Sequence, residues 1–252
     1  MIEVMQLSKT YGSKRVVDDV TLCIGKGQIT SFIGPNGAGK STLLSMISRL
    51  LQSDSGQVLL DGKAIHQSKS QDLAKKISIL KQSNNISVRL TVRELVAFGR
   101  FPYSQGRLTA EDWKYVDDAI GYMELQDLQH HYLDQLSGGQ NQRAYIAMVI
   151  AQNTEYVLLD EPLNNLDMRH SVQIMKVLRR LVEELGKTVI IVIHDINFAS
   201  CYSDRIVALK DGRVIKEGKT EEIITPEVLS EVYDMDFQIE TINGNKICIY
   251  FT

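Results

Sequence analysis

The sequence predicts an α/β fold built around a strand, a glycine loop and a helix, flanked by a small antiparallel sheet and interrupted by a helical insertion. Three observations carry this. The run Gln28-Ile29-Thr30-Ser31-Phe32-Ile33 reads as a strand, Gly34-Pro35-Asn36-Gly37-Ala38-Gly39-Lys40-Ser41-Thr42 follows it, and Leu43-Leu44-Ser45-Met46-Ile47 begins a helix, the context that a phosphate-binding loop requires. Two more apolar runs, Tyr156-Val157-Leu158-Leu159 and Thr188-Val189-Ile190-Ile191-Val192-Ile193, read as buried core strands. Between residues 90 and 152 the pattern turns helical.

The first 33 residues read as short strands, Ile2-Glu3-Val4-Met5 and then 15–24, with Lys9-Thr10-Tyr11-Gly12 as the turn between them. Tyr11 is either a packing tyrosine or, given a nucleotide site, a ring that stacks on the base. Asp61-Gly62 between Gly56-Gln57-Val58-Leu59-Leu60 and Lys63-Ala64-Ile65 signals a tight hairpin.

In the glycine loop, Gly34, Gly37 and Gly39 supply torsions that side chains forbid, so backbone N–H groups can close around an anion. The helix starting near Lys40 adds its positive dipole end. Lys40 places a point charge on outer phosphates, and the Ser41 hydroxyl is suited to Mg²⁺.

Ile77-Ser78-Ile79-Leu80 reads as a strand running into Lys81-Gln82-Ser83-Asn84-Asn85. Gln82 at its carboxyl end is either a surface amide or a group reaching Mg²⁺ or an attacking water. Thr91-Val92-Arg93-Glu94 is a capping box, and a second helix is expected over 109–122. Between them, Gly99-Arg100-Phe101-Pro102-Tyr103-Ser104-Gln105-Gly106-Arg107 reads as an exposed loop whose aromatics and arginines suit a partner surface.

Leu136-Ser137-Gly138-Gly139-Gln140 opens a helix running to Ala151. Ser137 can cap it, and two glycines leave its first N–H groups bare, which makes a second anion cradle. Neither cradle looks complete for hydrolysis alone, so one is expected to finish the other across an interface. Asp160 and Glu161 stand where the sheet's ligands gather, Asp160 for Mg²⁺ through water and Glu161 to polarise the attacking water. Asp167 is a candidate partner contact and starts a helix to about residue 184, with Val172, Met175, Val177, Leu178 and Leu181 toward the core.

His194 ends the next strand, where it can bond a terminal phosphate. His66, His130, His131 and His170 read as surface or capping residues. In the tail, Asp211-Gly212 and Asn243-Gly244 signal hairpins and Thr225-Pro226-Glu227 starts a short helix. No catalytic group stands out there.

Composition bounds the rest. The 252 residues, 44% hydrophobic, suit one large α/β domain or two small ones. A net charge of −3 gives no case for nucleic acid or bulk membrane binding. No secretory leader is expected, and runs such as Val189-Ile190-Ile191-Val192-Ile193 fall far short of the ~20 residues that span a bilayer. Cys23, Cys201 and Cys248 are few, odd in number and widely spaced, as expected of buried thiols in a reducing cytosol rather than zinc ligands.

Tyr11, the 34–42 loop, Gln82, the 136–140 signature, 156–161, Asp167 and His194 occur in the order and context of the ATP-binding cassette (ABC) ATPases, which the whole chain resembles. The resemblance implies a P-loop NTPase (RecA-like) core from 1–85 and 153–252 with its β-subdomain, and a helical signature subdomain at 86–152, within a single domain. It implies a head-to-tail homodimer with ATP between the glycine loop of one copy and Ser137, Gly138, Gly139 and Gln140 of the other. By position it implies Tyr11 on adenine, Lys40 on the phosphates, Ser41 and Gln82 on Mg²⁺, Asp160 on Mg²⁺ via water, Glu161 as base and His194 as phosphate switch. Asn141, where many relatives carry Gln or Arg, departs from the family pattern.

The stretch from Thr91 to Tyr103 resembles ATPases of iron-siderophore and cobalamin uptake. It implies a permease docking on the Gln82–Arg107 region, a substrate-binding protein beyond it, and a place on the cytoplasmic face of the membrane. A ferric-siderophore importer is the favoured reading. Haem or cobalamin import, a cytosolic cassette without a transport partner, and a module that uses ATP only to dimerise are the alternatives.

Overall fold

The structure, a computed structural model, describes residues 1–82, 88–164 and 166–251. Ser83, Asn84 and Asn85 of the expected strand end, and Asn165 of the turn before Asp167, lie outside the described residues. The chain divides into two compact units, Met1–Ser68 with Thr188–Thr252, and Lys69–Lys187.

The first unit opens with β1 (Ile2–Tyr11), β2 (Lys14–Ile24), β3 (Ile29–Ile33), α1 (Lys40–Ile47), β4 (Ser55–Leu60) and β5 (Lys63–Ala64). Four of these strands form an antiparallel sheet in the order β2-β1-β4-β5, the flanking sheet that the alternating sequence predicts. The predicted turn at 9–12 is corrected. Tyr11 pairs with Lys14, so β1 continues through Lys9, Thr10 and Tyr11 and the turn is Gly12-Ser13, with Gly12 at φ 60°. Cross-strand pairing extends a strand past what its own composition favours.

The second unit contains α2 (Ser70–Ala74), β6 (Ile77–Leu80), α3 (Val92–Phe98), α4 (Phe101–Ser104), α5 (Ala110–Tyr122), α6 (Gly138–Ala151), β7 (Tyr156–Asp160) and α7 (Met168–Leu185). Thr91 and Thr109 each close a capping box, with Glu94 and Asp112 respectively. Two orphan N–H groups are thereby satisfied at each helix start. The core stripe of α7 is Ser171, Ile174, Met175, Leu178, Leu181 and Val182. Val172 and Val177, expected in the core, are half-buried because they flank that stripe.

The expected exposed loop at 99–107 is also corrected. It folds into α4, and Arg100 is buried, 4% exposed. Its guanidinium donates to Asp112 Oδ1 at 2.9 Å and to the Ala151 carbonyl at 2.9 Å, and lies 4.0 Å and 4.2 Å from the ring centres of Tyr103 and Tyr115. A planar cation with five donors is suited to such a site, which a mobile ammonium would leave partly unsatisfied. Phe101 stays 58% exposed.

The first unit resumes with β8 (Thr188–Val192), α8 (Ile196–Tyr202), β9 (Arg205–Lys210), β10 (Arg213–Lys219), α9 (Thr220–Ile223), α10 (Pro226–Tyr233), β11 (Gln238–Ile242) and β12 (Asn245–Ile249). The order β10-β9-β3-β8 puts β3 between two parallel neighbours. Every residue of β3 and of β8 is buried, as central parallel strands require. Burying Ile29, Phe32 and Ile33 there stabilises the unit by about 1.5–3 kcal/mol each.

All three predicted hairpin turns form, with φ of 51° and 76° at Asp61-Gly62, 49° and 80° at Asp211-Gly212, and 50° and 81° at Asn243-Gly244. Positive φ at both central residues matches the strand twist. The three cysteines are free, but only Cys248 is buried. Cys23 is exposed on β2, against the expectation of three buried thiols.

Candidate active site

In the first unit, strand register gathers the candidate groups. β3 and β8 run parallel with Phe32 beside Val192, and the Ile193 N–H donates to the Phe32 carbonyl at 3.2 Å. The chain therefore leaves β3 at Gly34 and β8 at His194 on the same carboxyl edge, where ligands of open α/β sheets collect.

Gly34, Gly37 and Gly39 take φ of 141°, 81° and 94°. A Cβ at Gly34 would lie 2.0 Å from the Leu209 carbonyl oxygen, and one at Gly39 2.4 Å from that of Val16, so a side chain at either would force the loop off its neighbours. Pro35, Asn36, Ala38 and Gly39 carry the chain round to α1, whose N-cap is Gly39 and whose first residues are Lys40, Ser41 and Thr42. Lys40 is buried, 4% exposed, and its ammonium donates to the Gly34 and Pro35 carbonyls at 2.7 Å and 2.9 Å. The loop thus holds a cation beside the bare N-terminus of a helix, two features that both attract an anion. Tyr11, at the end of β1, is 51% exposed and His194 is exposed.

In the second unit the same register argument applies. β6 and β7 are parallel with Leu80 beside Leu159. Two residues beyond each lie Gln82 and Glu161, and the Gln82 amide donates to Glu161 Oε2 at 2.6 Å. Asn164 donates its amide to that same oxygen. Glu161 sits at φ 50°, a left-handed conformation that is uncommon for a glutamate and recurs at functional positions. Asp160, the last residue of β7, is only 7% exposed. Sequence reasoning missed Asn164, which there is one polar residue of a turn.

Ser137 caps α6 as predicted. The Gln140 N–H donates to Ser137 Oγ at 3.3 Å, and the Ser137 N–H donates to Gln140 Oε1 at 2.9 Å. The Gln140 side chain is thereby used for capping, while a Cβ at Gly138 would meet nothing within 4 Å. The Gln142 amide donates to the Pro162 carbonyl at 3.0 Å, which ties α6 to the turn after Glu161.

His170 is a cap partner, as expected, but it is not isolated. Its ring nitrogen lies 2.8 Å from Asp167 Oδ1, and a Cβ at Gly139 would lie 3.2 Å from its Cγ, so the ring packs on the start of α6. The bond from the His170 N–H comes first among the causes that hold the Asp167 carboxyl below its usual range. The two units hold different parts of the candidate set: Tyr11, residues 34–42 and His194 in one, Gln82, residues 137–140, Asp160 and Glu161 in the other.

A sequence-family model described as "ABC transporter" matches residues 17–164. The petrobactin import ATP-binding protein YclP of Bacillus subtilis (strain 168) is 64% identical over 252 residues, covering all of both chains. The iron(3+)-hydroxamate import ATP-binding protein FhuC of the same organism is 45% identical over 238 residues, 94% of this chain and 88% of the relative. Among solved structures, the ATP-binding cassette MJ0796, a dimer in a post-hydrolysis state bound to ADP and Pi, matches with a TM-score of 0.78 and 36% identity over 87% of this chain and 99% of its own.

Proposed function

The chain belongs to the ABC transporter family, and from that premise we propose that it is the ATP-hydrolysing subunit of an importer for an iron-siderophore complex. The observation that carries the reading is full-length identity of 64% to a petrobactin import ATP-binding protein, joined to a P-loop NTPase fold in which the glycine loop holds Lys40 against its own carbonyls. Residues 1–252 act as a single ATPase domain, with the helical signature subdomain at 86–152 set into the catalytic core.

The roles follow from the chemistry of each group. Tyr11 offers a ring for adenine, residues 34–42 cradle phosphates with N–H groups and the Lys40 charge, and Ser137, Gly138, Gly139 and Gln140 serve the nucleotide of a second copy in a head-to-tail dimer. Glu161 takes the proton of the attacking water while Gln82 orients that carboxylate and the water, and His194 bonds the terminal phosphate. Mg²⁺ suits the donors present. Asp160 is a largely buried carboxylate at the end of β7, and Mg²⁺ prefers one or two carboxylates supplemented by phosphate oxygens and water. Ser41 in the first unit, and Asp160 and Gln82 in the second, each offer an oxygen of the kind Mg²⁺ takes, and Mg²⁺ would neutralise charge on the transferring phosphate.

No helix among the described residues is long and apolar enough to cross a membrane. The membrane-facing work falls to a separate permease, docked on the Gln82–Arg107 region at the cytoplasmic face, with the substrate-binding protein on its far side. The test is genetic and biochemical together. Cells lacking the chain lose growth on ferric petrobactin or a ferric hydroxamate as sole iron source, and the wild-type gene but not Glu161→Gln restores it. Growth on both chelates without the gene would overturn the reading.

A further inference from the structure

The tail, in whose sequence no catalytic group stands out, reaches the glycine loop. The Tyr233 hydroxyl, at the last turn of α10, accepts the Gly34 N–H at 3.0 Å. Two contacts from β9 fix this meeting. The Leu209 carbonyl crowds the space where Gly34 would carry a Cβ, and the next residue, Lys210, donates to the Glu231 carbonyl at 2.7 Å and to Asp234 Oδ1 at 2.6 Å. Lys210 thus holds the carboxyl end of α10, where a basic group is favoured.

The phenol ring is held as well. Tyr233 and Phe237 have ring centres 5.8 Å apart, and Phe237 and Tyr250 likewise 5.8 Å apart, so an aromatic row extends from the glycine loop into the terminal hairpin. Burial pushes the Tyr233 phenol up to about 12. It stays neutral through the working pH range, with its oxygen free to accept.

Gly34 is consequently held at both polar groups. Its N–H goes to Tyr233, and its carbonyl accepts Lys40 Nζ at 2.7 Å. Lys40 is shared with whatever anion the loop binds, whereas Tyr233 faces Gly34 from the tail. We propose that Tyr233 is a positioning residue of the phosphate loop, through which the C-terminal layer of the chain sets affinity for the nucleotide. The inference rests on the nucleotide reading of residues 34–42.

The test is Tyr233→Phe, which removes one oxygen and keeps the ring and its aromatic neighbours. A neutral hydrogen bond contributes about 0.5–1.5 kcal/mol, so the Kd for a fluorescent ATP analogue and the KM for ATP rise together by about two- to tenfold. The kcat at saturating ATP stays within about twofold, because the hydroxyl acts on the loop and touches no reacting atom. Phe237→Leu, which loosens the ring but keeps the hydroxyl, raises Kd in the same direction.

Lys40→Ala separates the two readings. If Lys40→Ala abolishes analogue binding while a folded Tyr233→Phe binds like wild type, Tyr233 has no positioning role and the nucleotide site stands. If Lys40→Ala also binds like wild type, the nucleotide reading itself fails. A fall in kcat with Kd and KM unchanged would equally overturn the proposal.

Discussion

Gln82 and Glu161 are 79 residues apart in the chain and joined at 2.6 Å, because β6 and β7 run parallel in a register that sets Leu80 beside Leu159. With Asn164 on the same carboxylate oxygen, Glu161 is oriented by two amides that donate to it. Two donors on one carboxylate oxygen fix the direction in which a general base points. Glu161→Gln keeps the shape and removes the basicity. Phosphate release is expected to fall by at least about 10²-fold, while ATP binding survives and an ATP-bound dimer persists on size exclusion. Turnover near the wild-type rate would remove Glu161 from the chemistry.

Lys40 carries a second prediction. It is buried and its ammonium is bonded to two loop carbonyls, so Lys40→Ala removes both the charge meant for phosphate and a brace of the loop. Affinity for ATP, measured by equilibrium binding, falls by at least about tenfold, the equivalent of about 1.4 kcal/mol. Lys40→Arg does not rescue it, since a planar guanidinium cannot replace a compact ammonium among those carbonyls.

What the sequence makes legible is what is local. Asp61-Gly62, Asp211-Gly212 and Asn243-Gly244 announce their turns because few other pairs tolerate positive φ twice, and Thr91 with Glu94 announces a helix start within four residues. The glycine loop and the strand ends at Asp160 and His194 are legible for the same reason. The pairings across the fold are not. Whether Gln82 meets Glu161 depends on the register of two strands, and whether Gly34 meets Tyr233 depends on the end of β9. The burial of Arg100 depends on Asp112, Ala151 and two tyrosine rings that composition alone cannot bring together. An arginine next to aromatics looks the same in sequence whether it faces a partner or the core.

That correction changes what Arg100 is good for experimentally. Arg100 and Asp112 are 4% and 5% exposed, and removing one partner of a buried pair leaves the other charge uncompensated, at a cost of about 3–5 kcal/mol. Arg100→Ala is expected to lower the urea midpoint of the chain by that equivalent, with less folded protein recovered. A stability within about 0.5 kcal/mol of wild type would mean that the guanidinium is exposed after all.

The pH dependence follows from the same pair. Burial pushes the Asp112 carboxyl up, but bonds from the Thr109 N–H and hydroxyl and the Arg100 guanidinium outweigh it and hold the group below its usual range. A carboxyl depressed in the folded state stabilises above its unfolded pKa of about 3.9 and loses that contribution as pH falls through the folded value. Wild type is therefore more stable than Asp112→Asn at pH 7, and the gap narrows as the pH drops below about 4. Urea titrations of both proteins at pH 7 and pH 3 measure it, and a gap that widened in acid would contradict the assignment.

With Arg100 excluded, the docking surface proposed for a permease is left with Phe98 and Phe101 as its exposed rings, 53% and 58% exposed on α3 and α4. Tyr103 contributes less, because its ring packs on Arg100 at 4.0 Å. Large apolar rings left in water on helices that are otherwise well anchored are candidates for interface anchors, and truncating such an anchor costs about 2 kcal/mol or more of binding. Phe101→Ala removes a ring that contacts water, so the urea midpoint should stay within experimental error of wild type. Iron-chelate uptake and co-purification with the permease should both drop, by about thirtyfold in affinity if the ring is a full anchor. Unchanged uptake in Phe101→Ala and in the Phe98→Ala, Phe101→Ala double variant would move the docking surface elsewhere on the chain.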